Sequence, residues 1–153
     1  MQNYSSLIPF VASVMTVSVT GAMFRPGEWY KSLDKPSWTP PDWLFAPAWA
    51  LLYIAIAVAG WLVWLQNGFG PPLIVWMIIQ LVLNGAWSYV MFGWKNIGAA
   101  MLTLGGLWLS VALFAWLAWP VDQTASMLFW PYLAWVSFAG ALNFAIWRMN
   151  RSA

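Results

Sequence analysis

Residues 43–94 read WLFAPAWALLYIAIAVAGWLVWLQNGFGPPLIVWMIIQLVLNGAWSYVMFGW, and this uncharged stretch decides the fold. The run is too long for one membrane-spanning helix, and NGFGPP at residues 67–72 interrupts it with a dense cluster of helix breakers. On each side about 20 apolar residues remain, the length that an α-helix needs to cross a hydrocarbon core about 30 Å thick. We therefore predict two membrane-spanning helices joined by a turn near Gly68.

The rest of the chain repeats this pattern, because residues 1–24, 96–121 and 123–147 are also uncharged. The chain is 63% hydrophobic and only 7% charged, against about a quarter in soluble domains. The prediction is an all-α integral membrane protein, a five-transmembrane-helix bundle forming a single domain over residues 1–153. Its spans are expected at about 7–24, 43–65, 73–92, 97–119 and 124–147.

Two details of the spans are open to test. The first apolar run is expected to be a span rather than a cleaved signal peptide, since no basic flank precedes it. Pro131 is expected to kink the fifth span or to shift its start, because proline lacks the N–H that an interior helical position donates.

All six Lys and Arg residues fall on one side of such a bundle. They lie in the loop of residues 25–42, at Lys95 and in the C-terminal tail, whereas the N-terminus and the turns near Gly68 and Asp122 carry none. Positively charged connections face the cytoplasm. We therefore expect a cytoplasmic C-terminus and an outside N-terminus, with a bacterial inner membrane as the location.

The composition also argues against several functions. The sequence has no Cys and no His, so disulfides, thiol nucleophiles and the usual zinc or haem ligand sets are ruled out, and no metal site is expected. No span interior holds a Lys, Arg, Asp or Glu, which argues against an ion-coupled transporter or a pump. A net charge of +2 is too small to suggest a nucleic-acid partner.

The 15 tryptophans divide by depth. Tryptophans near span ends are expected to anchor the protein at the membrane interfaces; these are Trp29, Trp43, Trp64, Trp94, Trp119, Trp130 and Trp147. Deeper indole N–H groups need partners, so their rings are expected to pack against other helices or to line a cavity. These are Trp49, Trp87, Trp108 and Trp135.

Polar and aromatic stripes mark three of the spans. Gln80, Asn84 and Ser88 share one face of the third span, which fits either interhelical hydrogen bonds or a polar contact for a ligand. Every fourth residue of the second span from Phe45 to Ala57, and of the fifth from Pro131 to Asn143, lies on one face. Such faces suit a wide, flat, apolar ligand or ordinary helix packing, and periodicity alone does not choose between them.

Four motifs together resemble one family. They are GEWYKSLDKPSWTPPDW at 27–43, PAWALLY at 47–53, QLVLNGAW at 80–87 and WPYLAWVSFAGALNFAIWR at 130–148. These resemble the TspO/MBR family of tryptophan-rich sensory proteins and translocator proteins, also called peripheral-type benzodiazepine receptors. The resemblance implies a five-helix bundle, often a homodimer, that binds tetrapyrroles such as protoporphyrin IX, sterols in some members, and benzodiazepine-type ligands. No cofactor is required.

The resemblance also implies a site between the helices, capped by the loop of residues 25–42. Trp38 would belong to the cap, while Trp49 and Trp135 would face the ligand. The remaining ligand-binding residues would be Phe45, Tyr53, Asn84, Phe138, Ala139, Leu142 and Asn143. The expected function is a tetrapyrrole receptor or sensor with a role in porphyrin transport or stress response. The alternative is an enzyme that degrades porphyrin with light and oxygen, using Trp49 and Trp135 as its catalytic residues.

Two further expectations concern the ends of this site. The sterol-recognition pattern of the family is broken, because Phe144 stands where a tyrosine is expected, and this weakens the case for sterol binding. In the loop, Trp38 and Trp43 are expected to lie on the bundle mouth, since burying an aromatic ring stabilises by roughly 2–3 kcal/mol. Arg25, Lys31 and Lys35 would either meet the carboxylates of a porphyrin or serve membrane topology alone.

Overall fold

The computed structural model describes residues 3–67 and 70–152, and in that part of the chain it contains helices and no strand. The α-helices are α1 (Ile8–Met23), α2 (Glu28–Ser32), α3 (Phe45–Asn67), α4 (Pro71–Ser88), α5 (Ile97–Ala118) and α6 (Gln123–Asn150). The short α2 lies in the first loop, and a π-helical turn at Tyr89–Gly93 extends α4.

Five helices are long and apolar enough to cross a membrane, which confirms the predicted five-span bundle. They run Tyr4–Met23, Asp42–Gln66, Pro71–Gly93, Ile97–Ala118 and Gln123–Asn150, close to the predicted bounds. The predicted turn at Gly68 and Phe69 lies outside the described residues. Pro131 lies inside α6, which already begins at Gln123, so the proline does not shift the start of that helix.

The spans form a closed ring. The first span, α1, packs against α3 and α4; α4 packs against α5, α5 against α6, and α6 against α3. The half of the bundle away from the first loop has a dense core, where the rings of Phe114 and Phe129 lie 4.3 Å apart and both side chains are fully buried. Asp122 closes that end: its carboxylate accepts from Ala125 N (2.8 Å), which caps α6, and from Gln66 Nε2 (3.0 Å) on α3.

A polar network joins three helices in the middle of the bundle. The Tyr132 hydroxyl donates to Gln80 Oε1 (2.9 Å) and accepts from Asn84 Nδ2 (2.7 Å). The Tyr53 hydroxyl donates to Asn84 Oδ1 (3.2 Å). Gln80 and Tyr132 are fully buried, so these groups satisfy each other where water is absent. The structure thus assigns interhelical hydrogen bonds to Gln80 and Asn84.

The tryptophans near the span ends differ in their surroundings from those nearer the middle of the spans. Trp43, Trp64, Trp94, Trp119 and Trp130 are exposed at the helix ends, while Trp29 and Trp147 are half-buried there. Away from the helix ends, the half-buried Trp87 donates from Nε1 to Asn143 Oδ1 (3.3 Å), whereas Trp108 is 41% exposed on the outer surface of the bundle and donates from Nε1 to Ser137 Oγ (2.8 Å). Both indole N–H groups therefore have the partner that they need away from water.

Candidate functional site

A cavity of about 660 Å³ lies inside the half of the bundle that carries the first loop. Its walls come from α1, α3, α4, the π turn and α6, and the loop contributes Arg25, Pro26, Tyr30 and Asp42. The volume falls within the range of about 300–1,000 Å³ that is usual for small-molecule sites. Seven of the ten residues predicted to bind ligand line this cavity: Phe45, Trp49, Tyr53, Asn84, Ala139, Leu142 and Asn143.

The α3 wall is built from flat rings. Phe45, Trp49 and Tyr53 follow one another at intervals of one helical turn, and the rings of Trp49 and Tyr53 are nearly parallel, with centroids 5.7 Å apart. Ala46 and Ala50 stand beside them on the same face and also line the cavity. Large rings next to small side chains leave space in which a flat apolar molecule can stack on the helix.

The neighbouring wall belongs to α6, where lining residues occur at Ala139, Leu142, Asn143 and Ile146, the spacing of one helix face. The Asn143 carboxamide already has both partners, since it accepts from Trp87 and donates to the Ile97 carbonyl (3.0 Å). Asn84 is used in the same way by the central network. Both amides therefore hold the wall together, and the surface offered to a ligand is mainly aromatic and aliphatic.

The π turn supplies wall residues that the sequence did not reveal. Met91 and Phe92 line the cavity, and Phe92 meets the ring of Trp87 edge-on at 5.6 Å. Trp94 N donates to Tyr89 O (2.9 Å), the wider hydrogen bond of a π turn, and such turns are frequent at functional sites. The turn ends at Gly93, and Lys95, two residues later, adopts a left-handed conformation with φ 55°.

Tyr30, on α2, is the buried anchor of the first loop. It is 5% exposed, lines the cavity and meets Phe92 edge-on at 5.6 Å. Burial, with a smaller contribution from the negative charge of Asp42, raises the pKa of Tyr30 to about 12, so its hydroxyl stays neutral. The expectation that Trp38 and Trp43 would cover the mouth is wrong for Trp43, which is 71% exposed, and only partly met by Trp38, which is 49% exposed.

Lys35 explains why Tyr30 turns inward. Its ammonium group donates to the carbonyls of Tyr30 (2.7 Å) and Leu33 (3.1 Å) and lies 4.7 Å from the centre of the Tyr30 ring. Residues 30–35 are thereby folded into a compact turn, and Lys35 is used within the loop. Lys31 forms an exposed ion pair with Glu28 (3.1 Å). Of the three loop cations considered for carboxylate binding, Arg25 is the one that lines the cavity.

The other three predicted site residues form an aromatic cluster behind the α3 wall. Trp135 lies edge-on to Trp49 (6.3 Å) and to Phe45 (5.8 Å). Phe138 stands between Trp135 (5.7 Å) and Trp38 (5.8 Å). In this structure Trp38, Trp135 and Phe138 support lining residues without lining the cavity themselves. Their contact with a ligand stays a prediction.

No cluster of three or more His, Cys, Asp or Glu side chains that could hold a metal occurs in residues 3–67 and 70–152. The lining from α1 and its C-cap, namely Ser18, Gly21, Ala22 and Phe24, was also missed from the sequence. Small and hydroxyl side chains are ordinary at helix contacts in membranes, so they carried no signal of a site.

The sequence is similar to a known protein family and to several known proteins. Residues 7–148 match the sequence profile of the TspO/MBR family. The chain is 42% identical to Protein CrtK of Rhodobacter capsulatus, over 86% of this chain and 84% of that protein. It is 36% identical to a tryptophan-rich sensory protein of Cereibacter sphaeroides, over 97% and 93%. It is 40% identical to the translocator protein of Homo sapiens, over 85% and 81%.

Proposed function

We propose, because the chain belongs to the TspO/MBR family, that it is a membrane receptor or sensor that binds a tetrapyrrole such as protoporphyrin IX in its interhelical cavity. The observation that carries this proposal is the cavity of about 660 Å³, walled by aromatic rings, with one arginine at its mouth. A porphyrin is a wide, flat, apolar ring that carries two carboxylates on one edge. Rings such as Trp49 can stack on the macrocycle, and Arg25 can pair with a carboxylate.

The composition favours a metal-free porphyrin over haem. Histidine and cysteine, the side chains that hold haem iron in globins and P450 enzymes, are absent from the sequence. A porphyrin in this cavity would therefore be held by stacking and by contacts to its carboxylates. Haem that binds much more tightly than protoporphyrin IX would contradict this part of the proposal.

Binding is tested by titrating the purified protein with protoporphyrin IX in the dark and following tryptophan fluorescence. We expect saturable quenching. Trp49→Leu should raise the Kd about tenfold, because stacking on an aromatic ring is worth roughly 1–3 kcal/mol per base in nucleic-acid complexes and a porphyrin presents a similar flat face. The matched control is Trp135→Leu, which removes the same ring from behind the wall and should raise the Kd less than about threefold. Equal effects of the two changes would contradict the site.

The carboxylate contact has its own test. Arg25→Gln should weaken protoporphyrin IX binding about tenfold, since a hydrogen bond to a charged group contributes roughly 1.5–3 kcal/mol and the mouth is partly open to solvent. The same variant should bind protoporphyrin IX dimethyl ester as the unaltered protein does, because the ester has no negative charge to pair. A loss of affinity of the same size for acid and ester would remove Arg25 from the site.

The proposed orientation places the cavity on the cytoplasmic side of a bacterial inner membrane. It is supported by the position of all six Lys and Arg residues at the loop end. Because the chain has no cysteine, single Ser5→Cys and Ser37→Cys variants can be labelled with an impermeant maleimide in intact spheroplasts. We expect labelling at position 5 and none at position 37 until the membrane is opened. The reverse pattern would invert the topology.

A second candidate function is light- and oxygen-dependent breakdown of the bound porphyrin. Trp49 faces the cavity and Trp135 lies edge-on to it at 6.3 Å. Under this hypothesis the light-excited porphyrin takes an electron from Trp49 and passes it to oxygen, and Trp135 then donates an electron to the oxidised Trp49 ring. Under this hypothesis Trp135→Phe lowers the yield of illuminated product without changing the dark Kd. An anaerobic sample is the control. Unchanged product formation in the double variant Trp49→Phe, Trp135→Phe would contradict this second candidate function.

A further inference from the structure

The end of α6 is hydrogen-bonded to the first loop through one side chain. The Asn150 carboxamide accepts from Asp34 N (3.1 Å) and donates to Asp34 O (2.9 Å), a reciprocal pair between residues 116 apart in the chain. Asn150 Nδ2 also donates to the Ile146 carbonyl (2.7 Å), which fixes the carboxamide against the last turn of α6. A primary carboxamide suits this position because it presents an acceptor and a donor side by side.

The pair of hydrogen bonds between Asp34 and Asn150 is the main polar contact between the first loop and the rest of the bundle. In the described part of the chain, residues 26–41 form one local turn bond at their own end, from Leu44 N to Pro41 O (3.0 Å), and the two bonds with Asn150 are the hydrogen bonds that join them to a helix distant in sequence. The remaining hold is apolar, mainly the burial of Tyr30 against Phe92. A segment with few buried contacts and one polar attachment opens at low cost in free energy.

The contact also lies between the α6 wall of the cavity and its roof, which is the part of the first loop that carries Tyr30. On the α6 side, Ile146 supplies the carbonyl that holds Asn150 and lines the cavity itself. On the loop side, Lys35 ties the Asp34 segment to Tyr30 by donating to the Tyr30 carbonyl. Freeing Asp34 would therefore loosen the turn that keeps the Tyr30 ring over the ligand space.

We propose that Asn150 is a positioning residue that fastens the roof of the cavity to α6 and so sets how long a bound ligand is retained. The proposal rests on the proposed function, since it takes the cavity to be the binding site. Asn150 does not line the cavity, so it acts through Asp34 and Tyr30 rather than by touching the ligand. Its effect should therefore appear in the dissociation rate for both protoporphyrin IX and its dimethyl ester.

The test uses the near-isosteric variant Asn150→Asp, which keeps the acceptor but replaces the donor with a carboxylate that faces the Asp34 carbonyl. We expect the dark dissociation rate of protoporphyrin IX, followed by its transfer to excess lipid vesicles, to rise about tenfold, a change of about 1.4 kcal/mol. Asn150→Ala should act in the same direction without adding charge. Asp34→Asn is the matched control, because the contact uses only the main chain of Asp34, and its dissociation rate should stay within twofold of the unaltered protein.

A second measurement needs no ligand. The protection of the residue 34 amide from hydrogen exchange, relative to its intrinsic rate, should fall in both Asn150 variants, because Asn150→Ala removes its acceptor and Asn150→Asp displaces it. The protection should stay unchanged in Asp34→Asn, which keeps the main-chain contact. Unchanged exchange would overturn the contact, and faster exchange with an unchanged dissociation rate would overturn its role in retention. A protein that binds no porphyrin at all would overturn the proposed function, while the exchange measurement would still decide whether Asn150 fastens the loop.

Discussion

Tyr132→Phe is the sharpest test of how the bundle is held together. The change removes one oxygen atom from a fully buried ring and leaves the packing of the ring almost unaltered. It deletes two hydrogen bonds at once: the one donated to Gln80 Oε1 (2.9 Å) and the one accepted from Asn84 Nδ2 (2.7 Å). Gln80 stays fully buried and gains no water in exchange, while Asn84 lines the cavity.

The expected cost follows from these two bonds. Interhelical hydrogen bonds in membranes average about 0.6 kcal/mol and reach about 1.7 kcal/mol, which gives about 1–3 kcal/mol for the pair. The upper half of that range applies if the two amide groups find no other partner, because leaving a buried polar group unsatisfied costs about 1–3 kcal/mol. Asn84 retains the hydrogen bond from Tyr53 through its other atom, which limits its loss.

The free energy of unfolding is measured in mixed micelles by titration with a denaturing detergent, with circular dichroism as the signal. Tyr53→Phe is the matched control, since it removes a single longer bond (3.2 Å) from a hydroxyl that is only part-buried; about 0.5 kcal/mol is expected. Adding Gln80→Leu to Tyr132→Phe should recover part of the loss, because removing both partners of a hydrogen bond costs less than removing one.

A loss below about 0.5 kcal/mol in Tyr132→Phe, or no coupling between positions 80 and 132, would refute the reasoning. Either result would mean that the groups find other partners in the variant and that the network does not fix the register of these helices. A loss in the expected range, larger than that of Tyr53→Phe, would identify the network as the main polar tie across the middle of the bundle.

Three further outcomes are expected. Asp122→Ala should lower the free energy of unfolding by about 1–2 kcal/mol, because α6 loses its cap. Asp122→Asn should keep most of this stability, because its amide oxygen can still accept from Ala125 N. Gly60→Ala should cost about 1–3 kcal/mol in the same titration, since a Cβ there would lie 2.9 Å from the Phe10 ring and 2.8 Å from the end of Met77. By contrast, Gly140→Ala would meet nothing within 4 Å and should be neutral or slightly stabilising. Burial raises the pKa of Tyr30 from 10.0 to about 12, so the stability that the neutral hydroxyl supports is present below pH 10 and lost between about pH 10 and pH 12; thermal midpoints of Tyr30→Phe should lack this part of the pH dependence.

The spans were predictable because membrane helices are fixed by length and polarity, which one sequence displays directly. The stripe from Phe45 to Tyr53 was predictable for a similar reason, since helical periodicity alone puts those rings on one face. The same spacing on α6 predicted Trp135 on the face of Ala139 and Asn143, but the Trp135 ring packs against Trp49 and Phe45 and lies behind the wall. Helical periodicity does not show which neighbouring helix a side chain contacts.

The roof was not predictable, because its geometry depends on contacts between distant segments. Trp38 and Trp43 have larger apolar rings than Tyr30, yet Tyr30 is the one that is buried. The reason is the fold of residues 30–35 around the Lys35 ammonium group and the attachment of Asp34 to Asn150. Neither contact has a signature in local composition, and the π turn that carries Phe92 has none either.

The cavity ends where Tyr53 and Asn84 join the central network, and beyond that floor the bundle is filled by side chains such as Phe114 and Phe129. We therefore expect a molecule that enters this cavity from the loop end to leave by the same end, and we expect the packed half to block ions and water. On that expectation, a cell can hold many copies of this protein in its membrane without dissipating its ion gradients.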